Sequence, residues 1–234
     1  MHSRTRLLLT GAAIALIWQL PYGQMALYPL TLLATYVHEM GHGLTALLLG
    51  HQFQEMLLHA DGSGMAVWRG DPGRMETALI AAGGLLGPTL AGVSLLVLSG
   101  STRFARALLV VLALVLLLSM ALWSRNIFGL GFLLVWAVVL LLAARFLPAA
   151  GAALMLQLIA ITLCLSWFTD LDYMFSGQAV VNGVVHRSDS AVIAQALLLP
   201  YWFWGGLVAL ISMLLLLLGI AVASRTPVKP KATL

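Results

Sequence analysis

Apolar runs of roughly 20 residues, the length of helix that crosses a bilayer core about 30 Å thick, recur along almost the whole of this 234-residue chain. Backbone polar groups left unpaired in hydrocarbon are costly, so such runs are expected to be helices. The alternation over about ten residues that marks a membrane barrel is absent. The runs fall at about Leu7 to Leu20, Gln24 to Gly50, Thr77 to Leu98, Phe104 to Trp123, Asn126 to Arg145 and Ala149 to Phe168. A last stretch from Ser190 to Ser224 carries no charge, and Pro200 divides it into a short helix and a final span. The first run follows Arg4 and Arg6 as a signal peptide would. No small-residue cleavage site comes after it, so it is read as a short span ended by Pro21 and Gly23.

The expected fold is therefore an all-α polytopic membrane protein with about seven transmembrane helices, forming a single transmembrane domain over 1–234. Two polar segments interrupt it, Gly50 to Glu76 and Asp170 to Asp189, and a basic tail occupies 225–234. Within the first, the loop 51–76, the residues Gly62, Gly64, Met65 to Trp68 and Gly70 to Gly73 predict short strands around a turn, a β-hairpin-like segment at the membrane interface.

Composition narrows the function classes. Hydrophobic residues make up 62% and charged residues 9%, with mean hydropathy +1.02, values that exclude a soluble domain. The net charge of +4 is spread over loops and ends, where it meets anionic head groups rather than nucleic acid. Cys164 is the single cysteine, which excludes an intramolecular disulfide. Seven crossings divide the basic residues six to six (Arg4, Arg6, Arg69, Arg74, Arg125, Arg187 against Arg103, Arg106, Arg145, Arg225, Lys229, Lys231), so charge does not orient the chain.

Inside the second run, the HExxH helix of about 24–50, lies His38-Glu39-Met40-Gly41-His42. Residues four apart stack on one helix face, so His38 and His42 can direct imidazole nitrogens to one zinc ion. Glu39 can reach a water on that ion and accept its proton. With six His and three Glu in the chain, chance yields such a pattern in roughly two of a thousand sequences. Ionisable groups mid-span are expensive and point to function.

A catalytic zinc site needs a third protein ligand. The extended zincin pattern is excluded because Thr45 and Leu48 stand where Gly and His would be. Asp170 and Asp172 end the uncharged run of the 149–172 helix, and an odd number of crossings makes that helix parallel to the HExxH helix. Residues two apart point about 200° from each other, so a continuous helix lets only one face the imidazoles. Asp170, deeper in the run, is the expected ligand; Asp172 is left to water or substrate, and Glu55 is the next candidate.

The chain resembles the site-2-protease type of intramembrane zinc metalloprotease, in its compact bacterial M50B-like branch. The resemblance rests on HEMGH, on Ala82-Gly83-Gly84-Leu85-Leu86-Gly87-Pro88, and more weakly on Arg125-Asn126-Ile127-Phe128-Gly129 and Ser188-Asp189-Ser190. It implies one Zn2+ per chain held by His38, His42 and a late-span Asp, with Glu39 as general base. It also implies cleavage of transmembrane or membrane-tethered protein substrates in a bacterial inner (cytoplasmic) membrane. The sequence departs from better-known members in offering Asp170-Leu171-Asp172 where they carry Asn-Pro and Asp-Gly elements, and in leaving no room for a PDZ-like domain. Selectivity is then expected from the membrane core and loops.

Other residues carry two readings each. Gly83 and Gly87 predict close helix packing. Asn126 is expected either to donate a hydrogen bond near the reacting carbonyl or to cap its helix. The strands after the HExxH helix could hold an unwound substrate or form a plain hairpin. The rival to an enzyme is a non-catalytic metal-binding membrane protein, a scaffold or a transporter, although the paired broken helices of a transporter are absent.

Overall fold

The computed structural model describes residues 3–99 and 102–223; the basic tail 225–234 lies outside the described residues. The order is α1 (Ser3–Gln19), α2 (Gly23–Leu48), β1 (Gln52–Leu58), β2 (Gly64–Arg69), α3 (Arg74–Leu98), α4 (Thr102–Leu122), α5 (Ile127–Phe146), α6 (Ala149–Thr169), α7 (Leu171–Met174), β3 (Gln178–Val181), β4 (Val184–Arg187), α8 (Asp189–Leu197) and α9 (Tyr201–Ala223). Each apolar run is a helix within a few residues of its expected limits.

Five helices are long and apolar enough to cross a membrane: Arg74–Leu98, Phe104–Leu122, Ile127–Phe146, Ala149–Thr169 and Tyr201–Ala223. The seven-span count is therefore supported for five. The 26-residue α2 is long enough, but Thr31, Thr35, His38, Glu39 and His42 dilute its apolar character. Large side chains such as Leu114, Leu118, Val135, Leu142, Leu214 and Leu218 stand exposed on α4, α5 and α9. Apolar surface of that extent calls for lipid rather than water, and the chain is an integral membrane protein.

Helix α3 is the hub, packed against α2, α6, α8 and α9, while α4 joins α5 to α6. Glycines on both helices permit the α2–α3 crossing: a Cβ on Gly41 of α2 would lie 2.2 Å from the Gly83 carbonyl oxygen of α3. Pro200 acts as the sequence predicts. It follows the left-handed Leu198 (φ 73°) that ends α8 and precedes α9.

The first hairpin forms in the polar loop, with β1 and β2 antiparallel from Gln52 opposite Arg69 to Leu58 opposite Gly64. It is anchored to the bundle along β1. The Met56 N–H donates to the Trp123 carbonyl at 2.8 Å, Phe53 stacks on Trp123 at 4.9 Å, and the Asn126 amide both accepts from the Leu58 N–H and donates to the Leu58 carbonyl. Asn126 thus secures the hairpin rather than capping α5, because both ends of its amide are engaged by one strand residue. The outer edge of β2 has no strand partner among the described residues.

A second hairpin, β3 with β4, pairs Gln178 with Arg187 through Val181 with Val184. Its turn is Asn182-Gly183, both at positive φ (48° and 78°), the geometry that matches strand twist in a two-residue hairpin. The sequence reading did not include it, although Asn-Gly between two pairs of valines carries the signal.

Candidate metal centre

The stacking of His38 above His42 on α2 survives in the fold, with ring centroids 4.7 Å apart and Nε2 atoms 3.0 Å apart. The carboxylate that meets them is Asp189. Its Oδ2 lies 2.9 Å from His38 Nε2 and 3.2 Å from His42 Nε2. Ligand atoms about 2.0–2.2 Å from a common tetrahedral centre stand roughly 3.3–3.6 Å apart, so the observed triangle, slightly tighter, is close to metal-binding size.

The chemistry of the donors also fits a cation. His42 Nδ1 lies 2.8 Å from the Ile80 carbonyl, which can only accept, so the ring proton sits on Nδ1 and a neutral His42 presents the Nε2 lone pair inward. His42 Nε2 and the Asp189 carboxylate oxygen then converge as acceptors on the space that His38 Nε2 also faces, with little water around them, an arrangement that a divalent cation satisfies. His38, His42 and Asp189 form the group able to hold a metal among the described residues.

Local sequence explains how each is placed. Gly84 leaves room for the His42 ring; a Cβ there would lie 2.2 Å from ring atoms. Ser188 caps α8 by accepting from the Ala191 N–H at 3.3 Å, so Asp189 is the first residue of that helix. The Ser190 hydroxyl donates to the Met174 carbonyl at 2.7 Å and the Ser188 hydroxyl donates to the Ser176 carbonyl, tying α8 to the end of α7. Tyr173 completes the support: its hydroxyl donates to Asp189 Oδ2 at 2.9 Å and accepts from the Asp189 N–H at 3.1 Å.

Glu39 is buried beside the triad without belonging to it, with Gly64 of β2 packed against its side chain and Ala66 lining a smaller cavity with it. A cavity of about 430 Å³ opens from His38 and Glu39 and is bordered by Thr35, Asp170, Asp172 and Tyr173.

The structure does not bring Asp170 into the ligand group. It stands at the junction between α6 and α7 and lines the cavity from the side of Thr35, with Thr169 Oγ1 donating to its carboxylate at 3.4 Å. The interruption also removes the premise of a continuous helix, so Asp170 and Asp172 both border the cavity. Asn126 does not line it, being committed to Leu58. Two residues of the site escaped the sequence reading as such: Asp189, noted only as part of Ser188-Asp189-Ser190, and Tyr173. The available signal was an acid at the head of the long uncharged stretch that follows it.

A family model described as Peptidase M50B-like matches residues 9–219. The chain belongs to that family. Comparison with curated proteins and with solved structures finds no match. M50B-like membership points to a membrane metalloprotease, and the His/His/Asp group supplies a place for its metal. For an M50B-like peptidase, both polar segments flank the centre: the first hairpin brings Gly64 and Ala66 to Glu39, and the second brings Gln178 to Val181 to the cavity.

Proposed function

We propose that this chain is an intramembrane zinc endopeptidase that hydrolyses peptide bonds in transmembrane or membrane-tethered proteins. The observation that carries the reading is the buried Glu39 carboxylate next to a His38–His42–Asp189 ligand group and outside it. Asp189, rather than the expected Asp170, takes the role of third ligand. A donor set of two imidazoles and one carboxylate suits zinc with a position left open for chemistry. When bound, zinc supplies Lewis acidity, which acidifies water and polarises a peptide carbonyl.

The protein's own residues do the rest. His42, held by the Ile80 carbonyl, and Asp189, held by Tyr173, keep the ligand atoms in place. Glu39 accepts the proton of the attacking water and returns it to the leaving amine. Asp170 and Asp172 line the cavity that admits water and substrate.

A transmembrane helix hides its scissile amides and must unwind before cleavage, which exposes backbone groups that need partners. The free edge of β2 runs beside Glu39, and pairing there satisfies an unwound stretch as an added strand. The chain acts as one transmembrane domain, and its likeness to the compact bacterial branch supports a location in a bacterial cytoplasmic membrane.

The test is proteomic. Membrane-tethered proteins compared between cells carrying the native chain and Glu39→Gln should include at least one whose cleaved form depends on Glu39. A non-catalytic scaffold or transporter predicts identical fragment profiles.

A further inference from the structure

The two hairpins differ in how they are held. β1 is fixed to the bundle by Trp123 and Asn126, with Met56 and Leu58 fully buried. The β3–β4 hairpin is secured at its base by Ser188 and Ser190, while every residue of β4 is exposed. At its tip, the Asn182 N–H donates to Ser63 Oγ at 3.2 Å, across 119 residues of chain. Ser63 is held in turn: its N–H and its hydroxyl donate to Asp61 Oδ1 at 2.9 and 2.6 Å. These bonds keep the Asp61 carboxyl below the usual carboxylate range, so its charge persists to reinforce the turn.

Both hairpins also line the same spaces. The 430 Å³ cavity is bordered by Ser63 and Gly64 on one side and by Gln178 to Val181 on the other. A second cavity of about 270 Å³ adjoins it, bordered by Met65, Ala66 and Trp68 of β2 and by Val181, His186 and Arg187 of the second hairpin. His38, Glu39 and Tyr173 lie on the walls of both. The outer edges of β2 and β3 have no strand partner among the described residues.

We infer that the β3–β4 hairpin is the second jaw of a peptide clamp, which opens by releasing Asn182 from Ser63 and closes on an extended substrate segment lying along β2. The inference rests on the protease reading and names the element that admits and holds its substrate. A hydrogen bond at an exposed tip contributes little net stability, so the latch opens thermally and still favours the closed state without substrate. An extended peptide is the occupant because each jaw offers backbone edge groups and the scissile bond must reach Glu39 unwound. The valines of β3 give the clamp an apolar inner lining suited to a segment drawn from a membrane helix.

A disulfide across the latch decides the matter. Ser63→Cys with Asn182→Cys joins the two tips, and the one native cysteine, Cys164, is buried and does not compete. The oxidised protein should keep its metal and lose cleavage of a membrane substrate, and reduction should restore cleavage. The reduced double variant controls for the lost side chains. Cleavage at the same rate in oxidised and reduced forms overturns the clamp, as does failure of the disulfide to form on oxidation. A native chain that binds zinc but cleaves no membrane substrate overturns the protease reading instead.

Discussion

Tyr173 and Asp189 hold each other twice, the phenol donating to the carboxylate at 2.9 Å and accepting from the same residue's backbone N–H at 3.1 Å. The phenol thereby fixes both the position and the rotamer of the carboxylate that faces His38 and His42. Groups that orient metal ligands typically affect metal affinity or activity by about 10–100-fold. Tyr173→Phe keeps the ring against His38, at 6.1 Å between centroids, and removes only the hydroxyl. Zinc affinity measured by competition with a chromogenic chelator should fall by that factor, and an unchanged affinity would remove Tyr173 from the site.

Asp189 and Asp170 separate by metal content. Asp189→Ala should lose stoichiometric zinc, because two imidazoles alone remain. Asp170→Ala should retain it and alter turnover, because Asp170 borders the cavity and lies outside the ligand group. Elemental analysis of the two purified variants side by side reads the outcome, and the reverse pattern would return the third ligand to Asp170.

The seat of His42 predicts a contrast between two glycines. Gly84→Ala drives a methyl to within 2.2 Å of the imidazole, whereas Gly131→Ala meets nothing within 4 Å. The first should lower both zinc content and melting temperature. The second should leave both at native values in the same assays.

How far the sequence led follows from where each signal lies. Spans are legible because lipid imposes length and apolarity on each segment alone, and His38, Glu39 and His42 are legible because five consecutive residues of one helix contain all three, the two histidines on one face. Asp189 is not, since it reaches the site only after the chain breaks at Asp170, turns through a hairpin and returns at the cap of α8. Asn126 illustrates the same limit: its partner, Leu58, lies 68 residues earlier on another element.

Asn126 itself gives a stability prediction. Asn126→Ala leaves the Leu58 N–H and carbonyl without their side-chain partner, at a cost of about 1–3 kcal/mol for buried groups left unsatisfied. Limited proteolysis should cut the first hairpin faster than in the native chain, with zinc content unchanged. Native resistance would show that the backbone bonds of Trp123 and Arg125 to Met56 suffice to anchor β1.

The proposed role of Glu39, acting on water beside a metal it does not bind, is isolated by the Glu39→Gln variant. Zinc content and cleavage of one membrane substrate are measured together on the native chain and the variant, in the same detergent or liposome. One zinc per chain is expected in both proteins, and cleavage in the native one alone. Native-rate cleavage by Glu39→Gln, or a native chain purified without chelator that carries no stoichiometric zinc, would contradict that role.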